Sequence, residues 1–177
     1  MKFDKNRCLE LLKKQKNLEK ENKLLIDCNK IEYDELIAYI KMVNNHSHWL
    51  YCKKYTQLSI AFVLKYLSFD EFFRAFVNLR RSCDVIAGGW LQKLEEEAFD
   101  NCPKSNQINI QMQPQSSGFS DLMDYLFYLL DLSDPDGNLE DDLKYPESLA
   151  YGTSEKYLRL EIEDYFIPRF ENYEKKF

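Results

Sequence analysis

Glycine and proline are scarce in this chain of 177 residues, five of each. That leaves too few breakers for the many tight turns of an all-β sandwich or barrel, and long uninterrupted elements are expected instead. Histidine is scarcer still: only His46 and His48 are present, and neither has a neighbouring acid that suggests a general base. The five cysteines, Cys8, Cys28, Cys52, Cys83 and Cys102, are odd in number and form no C-x-x-C pair. A disulfide framework and a ribbon-type zinc site are both disfavoured, and a reducing compartment is expected, the cytoplasm or the interior of an organelle if organelle-encoded. No uncharged apolar run of about 18 residues occurs, so no membrane span is expected. The opening "MKFDKNRCLELLKK" carries charge where a signal peptide needs an apolar stretch, so export by that route is not expected either. Gly-rich phosphate loops, H-E-x-x-H and G-x-S-x-G are all missing. Neither an enzyme nor a cofactor is expected from these residues.

What is present is a core. Hydrophobic residues make up 45% and aromatic residues 15% of the chain. A chain of this length buries about two-thirds of the surface its unfolded form exposes, enough for one domain without staples. The net charge of −6 argues against direct nucleic-acid binding, yet it hides a gradient. Residues 1–24 carry eight Lys and Arg against Asp4, Glu10, Glu19 and Glu21. Residues 119–165 carry thirteen acids against Lys144, Lys156 and Arg159. The two ends either attract each other or face different partners.

The pattern predicts an all-α, single-domain bundle of about five to six helices. Residues 1–45 read as a basic helical extension packed on a bundle of residues 46–177, which includes an acidic loop at 131–147. Leu, Lys, Glu and Gln fill residues 3–27 without a breaker, predicting one long helix. Leu11, Leu18 and Leu25 repeat every seven residues, but Gln15 and Asn22 interrupt the seam, so a coiled coil is not expected. A helix over 32–43, ending at Asn44 and Asn45, and another over 49–67 follow. Ser68 and Glu71 have capping-box spacing and mark the clearest helix start. Beyond them Phe69, Phe72, Phe73, Phe76, Cys83, Ile86 and Trp90 keep i, i+3, i+4 spacing, and Gly88 with Gly89 is expected to interrupt as a kink or tight crossing. Residues 101–118 read as an exposed loop with a strand-like piece at "INIQMQ". A helix after Ser120 comes next, then a loop of some twenty residues. A last helix, capped by Thr153 or Ser154, runs to about Tyr173 with Leu158, Ile162, Tyr165, Phe166 and Tyr173 inward and a kink at Pro168.

Three clusters invite a chemical reading. His48 and Cys52 share a helical face while His46 points away, so no zinc site is complete and the group reads as a polar helix entry. "DPDGNLEDD" fails the EF-hand test, because counting back from Gly137 puts Leu132 in the first ligand position; it reads as a turn, and no metal is expected. The third is "DLMDYLFYLLDLSDPDGNLEDD", where Asp121, Asp124, Tyr128 and Asp131 form one polar stripe on an otherwise apolar helix that runs into a carboxylate-rich loop. A charge run is usually a solvated face. Acids anchored by an apolar helix, however, match a basic cleft and mimic nucleic-acid phosphates.

The succession "YLSFDEFFRAFVNLRR", a polar gap, "FSDLMDYLFYLLDLSDPDG", an acidic stretch and "TSEKYLRLEIEDYF" resembles the colicin D immunity family and related helical immunity proteins of contact-dependent inhibition systems, over roughly residues 66–175. The resemblance implies a helical bundle that neutralises a basic, tRNA-cleaving toxin domain by covering its active site with acids. It implies that Asp131, Asp134 and Asp136, with Glu140, Asp141 and Asp142, face the toxin; Asp124 and Tyr128, from the polar stripe itself, are expected to join that surface. The partner expected is a basic protein, a nuclease toxin domain. The alternative is a subunit of a larger complex that docks through the N-terminal helix.

Overall fold

The computed structural model describes residues 2–99, 110, 112, 116–133 and 155–175. The fold is all-α, a helical bundle, as the scarcity of breakers predicts; among the described residues no strand occurs. The helices are α1 (Lys5–Lys20), α2 (Leu25–Cys28), α3 (Lys30–Trp49), α4 (Cys52–Val63), α5 (Phe69–Ala98), α6 (Phe119–Leu132), α7 (Glu155–Glu161) and α8 (Ile167–Glu174), with a π-helical segment at Ile162–Phe166 joining the last two. No helix among the described residues is long and apolar enough to cross a membrane.

The chain divides into two compact units, one made of Met1–Ser47 and Cys83–Ser117, the other of His48–Ser82 and Gly118–Phe177. The core of the first gathers Cys8, Leu11 and Leu12 of α1, Leu25 of α2, Leu36, Tyr39 and Val43 of α3, and Ala87, Leu94 and Ala98 of α5. Helix α1 is therefore part of that core. Three of its cations are bound by acids of the same unit: Arg7 Nη2 lies 2.9 Å from Glu35, Lys5 lies 2.7 Å from Glu97, and Lys14 bonds Glu32. The Glu32 carboxylate is held below its ordinary range, chiefly by Lys14.

Several boundaries differ from expectation. The long helix predicted over 3–27 breaks at Asn22, whose φ is +56°. Lys23 N–H reaches Leu18 O at 2.9 Å and Asn22 N–H reaches Glu19 O at 3.0 Å, so a Schellman motif closes α1 and the short α2 starts afresh. Asn is among the few residues that enter the left-handed region cheaply. The same motif ends α4 at Lys65, φ +63°, with Tyr66 N–H on Ala61 O. Asn44 and Asn45 do not end the second helix; α3 runs on to Trp49 because Asn45, His46, Ser47, His48 and Trp49 are buried, and burial outweighs weak propensity. The helix predicted over 49–67 is accordingly shorter, Cys52–Val63.

The capping box at Ser68 forms with both arms: Ser68 N–H donates to Glu71 Oε2 at 2.8 Å, and Glu71 N–H donates to Ser68 Oγ at 3.4 Å. Gly88 and Gly89 do not interrupt α5, which continues through them for nine more residues; both are exposed and a Cβ on either would meet nothing within 4 Å. The close backbone approach that glycine pairs often permit is not made here. Residues Phe72, Phe76, Cys83, Ala87, Leu94 and Ala98 are the buried positions of α5. They repeat every eleven residues, a period of about 3.67 per turn, close to that of the α-helix itself. Phe69, Phe73, Ile86 and Trp90, expected on that face, are only partly buried at its flanks.

In the second unit α8 packs chiefly on α4, where Cys52 Sγ donates to Phe170 O at 3.3 Å. Tyr55 stands among Phe76, Phe119 and Phe170 at 5.5–6.5 Å between ring centroids. Leu158, Ile162, Phe166 and Phe170 are buried at strict spacings of four. In an α-helix each step of four overshoots a full turn by about 40°, so such a row would walk off its face. The π segment takes up this drift with a wider turn, Ile167 N–H bonding Ile162 O, five residues back. It also lies just ahead of Pro168, where the predicted disturbance appears as this widened turn. Tyr165 and Tyr173, expected inward, are half-buried, while Phe170 is buried in full.

Candidate functional site

Helix α6 is amphipathic because its apolar residues, Phe119, Leu122, Met123, Leu126 and Leu130, recur at helical spacing and are buried. The opposite stripe consists of Asp121, Asp124, Tyr125, Tyr128 and Asp131, all exposed. Asp124, Tyr128 and Asp131 are thus brought onto one face at i, i+4 and i+7. Tyr128 is 52% exposed, an unusual position for a large aromatic side chain in water.

The charges on this stripe are not equivalent. Arg80 Nη2 lies 2.7 Å from Asp124 Oδ1, and the Arg80 guanidinium carbon sits 4.3 Å from the centre of the Phe127 ring. Stacked on an aromatic face, the arginine is held in place to bind its carboxylate. Asp131, about two turns further on, has no ion pair among the described residues. The remaining acids of the predicted surface, Asp134, Asp136, Glu140, Asp141 and Asp142, lie outside the described residues, as do Thr153 and Ser154 of the predicted cap and most of "INIQMQ".

The stripe opens at its N-terminal end into a cleft of about 400 Å³ between α6 and α8. Asp121 and Tyr125 line it from α6; Arg169, Asn172 and Tyr173 line it from α8, with Tyr165 from the π segment. Gly118, at φ +81°, turns the chain into α6 at its edge, and a Cβ there would approach Tyr173 Oη to 3.4 Å. The Arg169 guanidinium carbon is 3.5 Å from the centre of the Tyr165 ring, and Arg169 Nη1 donates to Tyr165 O at 2.8 Å. Tyr125 meets Tyr165 edge-on at 5.6 Å and lies nearly parallel to Phe166 at 5.5 Å. Burial pushes both the Tyr125 and the Tyr173 hydroxyls up from their ordinary value, so both stay neutral at physiological pH.

Tyr125, Arg169 and Asn172 were not singled out from the sequence. The available signal is spacing: Tyr165, Arg169 and Tyr173 recur every four residues, as do Asp121 and Tyr125, placing each set on one helical face.

The histidine cluster is separated. His48 and Cys52 do not share a helix, because the chain turns at Leu50 and Tyr51 between α3 and α4. His48 Nδ1 is 3.2 Å from Tyr55 Oη, Cys52 is turned to Phe170, and His46 stacks beside Trp90 at 5.8 Å. The group is the end of one helix and the start of the next, not a helix entry. Among the described residues no three His, Cys, Asp or Glu side chains gather closely enough to hold a metal ion. No family model matches this chain, and no curated protein or solved structure is detectably similar to it.

Proposed function

We propose that the chain is a stoichiometric protein-binding module that receives a basic partner on the outer face of α6, in the manner of an immunity protein neutralising a tRNA-cleaving toxin domain. The observation that carries this reading is the exposed stripe of Asp121, Asp124, Tyr125, Tyr128 and Asp131 on a helix whose other side is buried. Carboxylates fixed on a buried helix lose little freedom on binding, so their field steers a basic surface at small entropic cost. Tyr125 and Tyr128 provide the rigid aromatic anchors that concentrate binding energy at interfaces. Occlusion is then the whole chemistry: carboxylates occupy the places the toxin keeps for phosphates, and the active site is closed to RNA.

Docking through the N-terminal helix, as an assembly subunit would need, has less in its favour. Lys5, Arg7 and Lys14 are already bound by Glu97, Glu35 and Glu32.

The test is a tRNA-cleavage assay with any basic nuclease domain that a neighbouring gene encodes. One equivalent of the chain stops cleavage and D131K combined with Y128A restores it, while the double variant keeps its thermal midpoint. Undiminished cleavage with excess wild-type chain, or full inhibition by the double variant, sinks the proposal.

A further inference from the structure

The cleft between α6 and α8 has a chemistry that the acidic stripe does not explain. Arg169 is a cation fixed in an otherwise acidic neighbourhood. Its guanidinium is clamped on one face by the Tyr165 ring and at Nη1 by the Tyr165 carbonyl. Its Nε and Nη2 have no partner among the described residues. By contrast Arg7, Arg80 and Arg159 are each bound to a carboxylate. A stacked guanidinium with one edge free is a preformed fork for a planar two-oxygen acceptor, because little side-chain freedom is left to lose.

The rest of the cleft selects among acceptors. Tyr125 offers a neutral hydroxyl, Tyr125 and Tyr173 offer ring surface, and Asn172 offers a carboxamide. A volume of about 400 Å³ is at the small end of ordinary ligand sites. Inorganic phosphate would leave the tyrosine surface uncovered and bring more charge close to Asp121. A singly charged carboxylate with a flat apolar body answers both. A cationic ligand would face Arg169 itself, while Asp121 is already engaged in an interaction of its own.

We propose that this cleft binds a small aromatic carboxylate, its carboxylate on the free N–H edge of Arg169 and its ring against the tyrosine walls. The site shares Asp121 and Tyr125 with the stripe that would receive a basic protein, but recognition of a carboxylate by Arg169 does not depend on that docking.

The experiment is an NMR titration of the isotope-labelled full chain with sodium benzoate, with benzylamine and inorganic phosphate as competing probes. Benzoate produces saturable shifts at Tyr125, Arg169 and Asn172, and benzylamine, the same ring with the opposite charge, binds at least about tenfold more weakly, as does phosphate. R169M weakens benzoate at least about tenfold, and R169K nearly as much, since an ammonium is a point charge without the fork. Arg169 is exposed, so both variants keep the wild-type melting curve. Benzylamine binding as tightly as benzoate would assign the cleft to Asp121 and overturn the proposal. So would phosphate matching benzoate, the absence of saturable benzoate shifts up to about 20 mM, or R169M affinity within twofold of wild type.

Discussion

Arg80 and Asp124 form an ion pair at 2.7 Å across α5 and α6, with the arginine seated over Phe127. The pair cancels one of the carboxylate charges on the outer face of α6 and leaves Asp131 as the stronger source of field. Charge on this face is therefore graded by tertiary contacts and not by acid count.

From that grading, D131K slows association with a basic partner about tenfold at low salt. R80M has the opposite sign, because it uncovers the Asp124 charge and speeds association. Stopped-flow rates over a salt series check the order. No gain in association rate from R80M means that Arg80 does not shield Asp124 in solution.

Gly88 and Gly89 stand exposed in the interior of a continuous helix, and an added Cβ meets open space at both. Each Gly→Ala change raises stability by about 0.5–1 kcal/mol, by restricting the unfolded chain and restoring helix propensity. Urea denaturation measures this directly. A loss of stability in either variant indicates a close neighbour at that position.

Burial pushes the Cys52 thiol up to about 12 and the Cys8 thiol up to about 11, from an ordinary value near 9. The unfolded chain thus releases these protons at lower pH than the folded chain. Stability held below about pH 9 is lost progressively as pH rises towards the folded values. Urea midpoints fall above about pH 9, and C52A flattens that fall. A profile unchanged by C52A assigns the alkaline loss to other groups. Cys28, which is exposed, is the first of the described cysteines to react with a thiol reagent.

Leu11 is fully buried among residues of α1, α3 and α5. L11A costs about 2–5 kcal/mol, and removal of residues 1–24 melts the unit built on them. Native-state hydrogen exchange at Leu36 and Leu94 reports it. A truncated chain that retains protection there shows that α1 is dispensable to the core.

Much of this architecture is written in local chemistry. The Ser68–Glu71 box forms as its spacing predicts, since both hydrogen bonds lie within one turn and need no distant partner. The polar stripe of α6 is legible for the same reason: helix geometry alone places Asp121, Asp124, Tyr128 and Asp131 together. Where distant contacts intervene, local reading fails. Asn44 and Asn45 resemble a stop until the burial of Asn45 through Trp49 carries α3 onward. Gly88 and Gly89 resemble a kink, yet the buried stripe on the other side of α5 holds the helix through them.

By itself, then, the sequence determined the helical class, the register of α5 and α6, and the acids that share one face, because these follow from periods of three and four along a single helix. Tertiary structure decided which of those acids is paired with an arginine. It also decided that α1 belongs to a core and that Tyr165, Arg169 and Tyr173 close a cleft with Asp121 and Tyr125. Each of these depends on side chains far apart in the chain, such as Arg80 and Asp124, whose meeting no local pattern encodes.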